Sequence, residues 1–108
     1  KRIHARLHEM MEYIAYHYED PISLDDIAAS ANISRSEALR CFHVGIQTTP
    51  VQYLNNYRLN RAKEMLLSTA DTVTTVASVT GFDNVGYFCR VFKKKYGNSP
   101  NAFRKHNK

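Results

Sequence analysis

The sequence predicts an all-α fold: two helix-turn-helix units joined by a long helix. Three observations carry this prediction. Apolar residues recur at helical rather than strand spacing along nearly the whole chain. Capping signatures mark where helices start. A pattern about fifty residues long occurs twice.

The elements follow in order. Ile3, Leu7, Met10, Met11, Ile14 and Tyr18 share one helical face, so residues 3–18 read as the first helix. "EDPIS" breaks it. Ser23 and Asp26 have capping-box spacing ahead of a short apolar face of Leu24, Ile27 and Ala28. "SANIS" makes a turn in which Asn32 can take a left-handed conformation. Ser34 and Glu37 form a second S-x-x-E box, opening a helix to about His43. Thr49, Pro50 and Gln52 supply an N-cap, a proline at N1 and a box partner at N3 for a helix over 50–67. Apolar residues surround much of that helix: Val51, Leu54, Leu59, Ala62, Met65 and Leu66, with Tyr53 and Tyr57 on another side. A helix apolar over so much of its surface is covered from two directions, as a connector between two small bundles.

After "STADT" the pattern restarts. Val73, Val76 and Ala77 repeat Leu24, Ile27 and Ala28 at an offset of 49, and Gly81 and Phe82 repeat Asn32 and Ile33. Phe92, Pro100 and Phe103 repeat Phe42, Pro50 and Tyr53 at an offset of 50, so one residue has been inserted. Each repeat is a short helix, a tight turn and a second helix. The expected division is a first subdomain over 3–49, the connecting helix over 50–67 and a second subdomain over 68–106.

Composition narrows the function. Lys and Arg number 15 against 10 acidic residues, a net charge of +5, which favours a polyanionic partner: nucleic acid first, an anionic membrane surface second. No apolar run approaches the roughly 18 residues of a membrane span, so no membrane partner is expected. Cys41 and Cys89 are far apart and lack zinc spacing, which fits an intracellular, reduced protein. No Gly-rich phosphate loop, HExxH, GxSxG or close acid pair is present, so neither catalytic residues nor a cofactor are expected. The chain begins with Lys1 rather than Met and reads as one domain of a longer protein.

The chemistry sits on the second helix of each repeat. In "DNVGYFCRVFKKKYG", Phe88, Val91 and Phe92 share one side, with Gly86, Arg90 and Lys93 opposite and Cys89 and Lys94 at the edges. The helical wheel places Val85 near the core edge. In the first repeat Ala38, Cys41 and Phe42 form the apolar side. Ser36, Leu39, Arg40 and His43 lie opposite, with Arg35 near the start. Such a helix is held from behind and offered to something negative. A helix-turn-helix places its second helix in the DNA major groove, where Arg can fork two hydrogen bonds to guanine. Cations around it, here Arg35, His43, Lys93 and Lys94, hold phosphates without reading sequence. A helix-turn-helix protein-interaction module that does not bind DNA is the alternative. The salt dependence of duplex binding separates the two.

Three stretches, "SLDDIAASANISRSEALRCF", "YLNNYRLNRAKEMLL" and "VASVTGFDNVGYFCRVFKKKYGNSPNAFR", resemble the DNA-binding domain of AraC/XylS-type bacterial transcription regulators over roughly residues 7–105. The last is the most specific: G-F, then Y-F-x-R-x-F-K-K, a Gly, S-P, and an aromatic followed by Arg. The resemblance implies seven helices, with one chain reading two successive major-groove segments of double-stranded DNA. It places base-reading positions at Ser36, Leu39 and Arg40, and at Val85, Gly86 and Arg90. It also implies RNA polymerase as a partner, most often under activation. The effector or dimerisation domain would lie outside this chain, and the location would be the bacterial cytoplasm, associated with the nucleoid. Leu39 departs from the pattern, where a polar residue is usual. So does Gln47, which stands where Gly97 stands in the second repeat. His4 and His8 have i, i+4 spacing but no third ligand nearby, so no metal is expected. Arg58, among apolar neighbours, is expected to meet carbonyls or a carboxylate between the subdomains, with a phosphate contact as the alternative.

Overall fold

The structure is a computed structural model and describes residues 2–107. Those residues form seven helices and no strand. The helices are α1 (Arg2–His17), α2 (Leu24–Ser30), α3 (Arg35–Ile46), α4 (Pro50–Ser68), α5 (Val73–Val79), α6 (Val85–Tyr96) and α7 (Pro100–His106). The all-α expectation therefore holds, and most ends fall within a residue or two of the pattern. α3 is the exception, running three residues past His43 to Ile46.

The chain divides into two compact units between Tyr57 and Arg58, inside α4. The first unit buries Leu7, Met10 and Ile14 of α1 with Ile27, Ala28, Ala38, Cys41, Phe42 and Leu54. Tyr53 packs edge-on against Phe42 at 5.7 Å, and Tyr57 lies tilted against Tyr18 at 5.2 Å. The second unit buries Leu59, Ala62 and Leu66 of α4 with Val76, Ala77, Phe82, Phe88 and Phe92. The 3, 4 spacing of Leu59, Ala62 and Leu66 repeats that of Leu7, Met10 and Ile14. The second half of α4 thus serves the second unit as α1 serves the first. The first half, opening at Pro50, corresponds to α7, opening at Pro100. One continuous helix closes one repeat and opens the next. Val51 is an exception to the two-sided covering expected of α4, being 47% exposed.

The two tight turns close in the same way. The N–H of Ile33 bonds back to the carbonyl of Ala28 at 3.2 Å, and that of Phe82 to Ala77 at 2.8 Å. The residue before each is left-handed: Asn32 at φ 56° and Gly81 at φ 96°. The second turn then carries one more residue before its N-cap, so the inserted residue is Asp83. Half-buried Arg58 feels it: burial lowers the Arg58 pKa, and the Asp83 carboxylate opposes that shift. Both residues belong to the second unit.

Two expected capping boxes are only half built. Ser23 and Asp26 bond reciprocally. At α3 the Ser34 hydroxyl accepts from the Glu37 N–H at 3.2 Å, but the Glu37 carboxylate goes elsewhere. At α4 Thr49 accepts from the Gln52 N–H, while the Gln52 side chain accepts from the Thr48 hydroxyl at 3.0 Å.

α3 ends as α6 does. Gln47 adopts a left-handed conformation (φ 52°, ψ 40°), as Gly97 does (φ 85°, ψ −12°). Each donates its N–H to the carbonyl four residues back, His43 and Lys93. Gly45 lies against α1: a Cβ there would lie 2.6 Å from Leu7 Cδ2, so the Leu7 side chain would have to shift. A left-handed side-chain-bearing residue costs about 1–2 kcal/mol. Gly97→Ala is therefore expected to lower stability by about 1–2 kcal/mol. Gln47→Gly should raise it by no more than about 1 kcal/mol, because added unfolded-state entropy offsets part of the relief. Urea unfolding of the two variants checks both signs.

Candidate nucleic-acid interface

α3 and α6 are each twelve residues long, about 18 Å at 1.5 Å per residue. Their inner sides are fixed by fully buried residues. Ala38, Cys41 and Phe42 hold α3, and Phe88 and Phe92 hold α6. Phe92 also meets Phe88 at 5.7 Å, Tyr96 at 4.6 Å and Phe103 at 5.4 Å. Burying each such ring is worth about 1.5–3 kcal/mol. That clamps the rotation of the helix and so decides which residues face out.

Every residue singled out on these helices is exposed. On α3 these are Arg35, Ser36, Leu39, Arg40 and His43, with Leu39 41% accessible. On α6 they are Val85, Gly86, Arg90, Lys93 and Lys94. Val85 corrects the helical wheel. It is the first residue of α6 and 39% exposed, because no preceding turn covers it. The structure thus brings each set together on one helix, within its own unit.

The charges are arranged differently in the two units. In the first, Arg40 donates from Nε to Glu37 Oε1 at 2.9 Å and from Nη2 to Oε2 at 2.6 Å. Glu37 Oε2 also accepts from Arg6 Nη1 of α1 at 3.0 Å. The Arg40 hydrogen bonds, with Arg6 adding to them, hold the Glu37 carboxyl below the usual carboxylate range, against a weaker upward push from desolvation. Glu37 in turn holds the Arg40 guanidinium cationic. Arg35 Nε lies 3.2 Å from Asp25 Oδ1 of α2. Both side chains are largely exposed, so this pair contributes about 0–1 kcal/mol and yields readily to a stronger anion.

In the second unit the Arg90 guanidinium sits over the Tyr87 ring, 5.6 Å from its centroid. Of the three consecutive lysines, Lys95 turns back toward α4. Its Nζ is 3.3 Å from Asn60 Oδ1 and 5.3 Å from the Tyr96 centroid. Burial lowers its pKa, and nearby Lys63 lowers it further. Lys93 and Lys94 remain exposed at the carbonyl end of α6. There the helix dipole favours cations by about 0.3–1 kcal/mol, a structural reason for them that stands beside any ligand. It does not reach Arg90, a turn earlier.

Sequence reasoning missed the side chains of Glu37 and Tyr87. By spacing Glu37 fits a capping box with Ser34; its i, i+3 spacing to Arg40 is the signal for the ion pair. Its bond to Arg6, thirty-one residues away, had none. Of the two histidines at i, i+4 spacing, His8 lies 3.7 Å from Glu12. Among the described residues, no group of three His, Cys, Asp or Glu is placed to hold a metal ion. Nor is any helix long and apolar enough to cross a membrane.

Comparison with known proteins places these features in context. A helix-turn-helix domain family matches residues 27–106. An uncharacterized HTH-type transcriptional regulator of Bacillus subtilis, YdeC, is 32% identical over 102 residues. That match covers 94% of this chain and 35% of YdeC; the chain spans about a third of the length of such relatives. An AraC-type DNA-binding domain protein of Chromobacterium violaceum superposes with a TM-score of 0.90 at 27% identity, covering 96% of this chain and 93% of that one. The DNA-binding domain of AdpA, solved with a target DNA, superposes at 0.88 and 27% identity, covering 93% and 90%.

Glu37's depressed pKa has a consequence for stability. A carboxyl whose folded pKa lies below its unfolded value stabilises the fold above the unfolded pKa, and that contribution is lost as pH falls through the folded pKa. Wild type should therefore be more stable than Glu37→Gln near neutral pH. The gap should close below the folded pKa of Glu37. Urea midpoints of both chains across the acid range check this.

Proposed function

The chain belongs to the AraC-type helix-turn-helix domains, and from that premise we propose that it binds double-stranded DNA sequence-specifically, with α3 and α6 in successive major-groove segments. Ser36, Leu39 and Arg40 read bases in one segment, and Val85, Gly86 and Arg90 in the other. Arg35, His43, Lys93 and Lys94 hold phosphates. The observation that carries this reading is the repeated polarity of α3 and α6. Each is fixed by buried aromatics behind and carries an exposed arginine at the same position in front, Arg40 and Arg90. The major groove is about 12 Å wide and admits such a helix. AdpA's solved complex supports the partner class. In a whole protein this domain would serve a transcription regulator of the bacterial cytoplasm and nucleoid, acting with RNA polymerase, with effector or dimerisation functions on another domain. The alternative, a protein-interaction module, has less support, since Leu39 is bordered along α3 by Arg35, Ser36, Arg40 and His43.

Affinity should fall steeply with salt, as phosphate neutralisation releases condensed counterions. Lys94→Ala should weaken binding to all duplexes alike and make the salt slope shallower by about one unit. Arg90→Ala should instead relax preference at one base position. Titrations of a preferred and a scrambled duplex at several salt concentrations distinguish these outcomes. A flat salt response, or a uniform loss from Arg90→Ala, contradicts the assignment.

Leu39 cannot hydrogen-bond a base edge, but it can cover a thymine C5-methyl. Replacing the contacted thymine by uracil should cost wild type about 0.8 kcal/mol, the worth of one buried methyl. Leu39→Ala should be indifferent to the swap. Binding isotherms with singly substituted duplexes measure it.

A further inference from the structure

We propose that Glu37 is a positioning residue for base recognition: its carboxylate grips one edge of the Arg40 guanidinium and leaves the other edge set for a guanine. This rests on Arg40 reading a base. The bonds from Arg40 to Glu37 use Nε and one hydrogen of Nη2. Nη1 and the second hydrogen of Nη2 lie outside that fork. They form the end-on pair that matches guanine O6 and N7. An unbraced arginine must lose side-chain freedom when it docks, and that ordering subtracts from affinity and discrimination. A guanidinium already fixed side-on has little left to lose.

Glu37 is itself fixed. Its backbone N–H is bonded to Ser34 at the start of α3, and its Oε2 is bonded to Arg6 of α1. The side chains of Glu37 and Arg6 are both about three-quarters covered, at 27% and 29% exposure, whereas Arg40 is 54% exposed. The chain Arg6–Glu37–Arg40 therefore runs from a covered anchor on α1 to an exposed reader. The second unit repeats the arrangement with other chemistry. Tyr87 stands three residues before Arg90, as Glu37 stands three before Arg40, and its ring lies under the guanidinium.

The opposite reading is that Glu37 sequesters Arg40 and competes with DNA. The two predict different signs. The preferred duplex is first selected from a random pool. The guanine read by Arg40 is located as the position where wild type discriminates against substitution and Arg40→Ala does not. The discrimination ratio at that guanine is then measured for Glu37→Ala, and for Glu37→Ala with Arg40→Ala. The ratio cancels the general gain in affinity that follows from deleting a negative charge near DNA. Glu37→Ala should lower the ratio about tenfold, within the range of one bidentate contact. It should add nothing once Arg40 is alanine. Glu37→Gln, which keeps one acceptor oxygen and the side-chain shape, should fall between and serves if the alanine variant melts early. A ratio unchanged or raised in Glu37→Ala, with Arg40→Ala still relaxing that position, overturns the positioning role and leaves base reading by Arg40 standing. No relaxed position in Arg40→Ala overturns both.

Discussion

The second helix of each unit is gripped from behind by fully buried aromatic side chains, and everything presented in front depends on that grip. Phe42 does this for α3; Phe88 and Phe92 do it for α6. A helix held at one turn can still roll, but one held by Ala38, Cys41 and Phe42, or by Phe88 and Phe92, cannot without opening a cavity. Truncating a buried Phe costs about 3–5 kcal/mol, a large part of the total stability of a small domain. The exposed cations contribute little to the fold by comparison. The sequence therefore separates two tasks along one helix: apolar burial sets the angle, and charge is free to be chosen for a partner.

Duplication explains the rest of the architecture economically. Leu59, Ala62 and Leu66 repeat the spacing of Leu7, Met10 and Ile14, so α4 opens the second unit as α1 opens the first. Arg6 and Arg58 occupy matching places on these opening helices. Arg6 is bonded to Glu37 at the start of α3, and Arg58 feels the carboxylate of Asp83 just before α6. The single inserted residue is thus a carboxylate in the turn, where the first unit keeps its carboxylate on the helix. Each unit sets a carboxylate against the arginine of its opening helix, by different local means.

Much of this was legible from the chain. Periods of three and four residues gave the helices, because burial of one face is what makes a short helix worth forming. Caps such as Ser23 and Ser34 marked their starts. The repeat at offsets of 49 and 50 exposed the two units and the insertion. Less legible was whatever depended on contacts distant in sequence or on strained backbone. Gln47 ends α3 three residues beyond His43 in a left-handed conformation, its Nε2 donating to the Val44 carbonyl at 3.2 Å. The wheel put Val85 at the core edge because it assumes a preceding turn that a first residue lacks. Glu37 satisfied a local motif on paper, yet two arginines outcompete a single backbone N–H for its carboxylate.

The central claim is that two separately anchored helices each offer an arginine to DNA. Selection of bound sites from a random duplex pool, repeated with Arg40→Ala and with Arg90→Ala, tests it most directly. The account predicts a wild-type motif with two blocks of preferred bases. Arg40→Ala should erase preference within one block, and Arg90→Ala within the other, each leaving its neighbour intact. A pool that emerges without preferred bases, or a single block weakened equally by both substitutions, would contradict it.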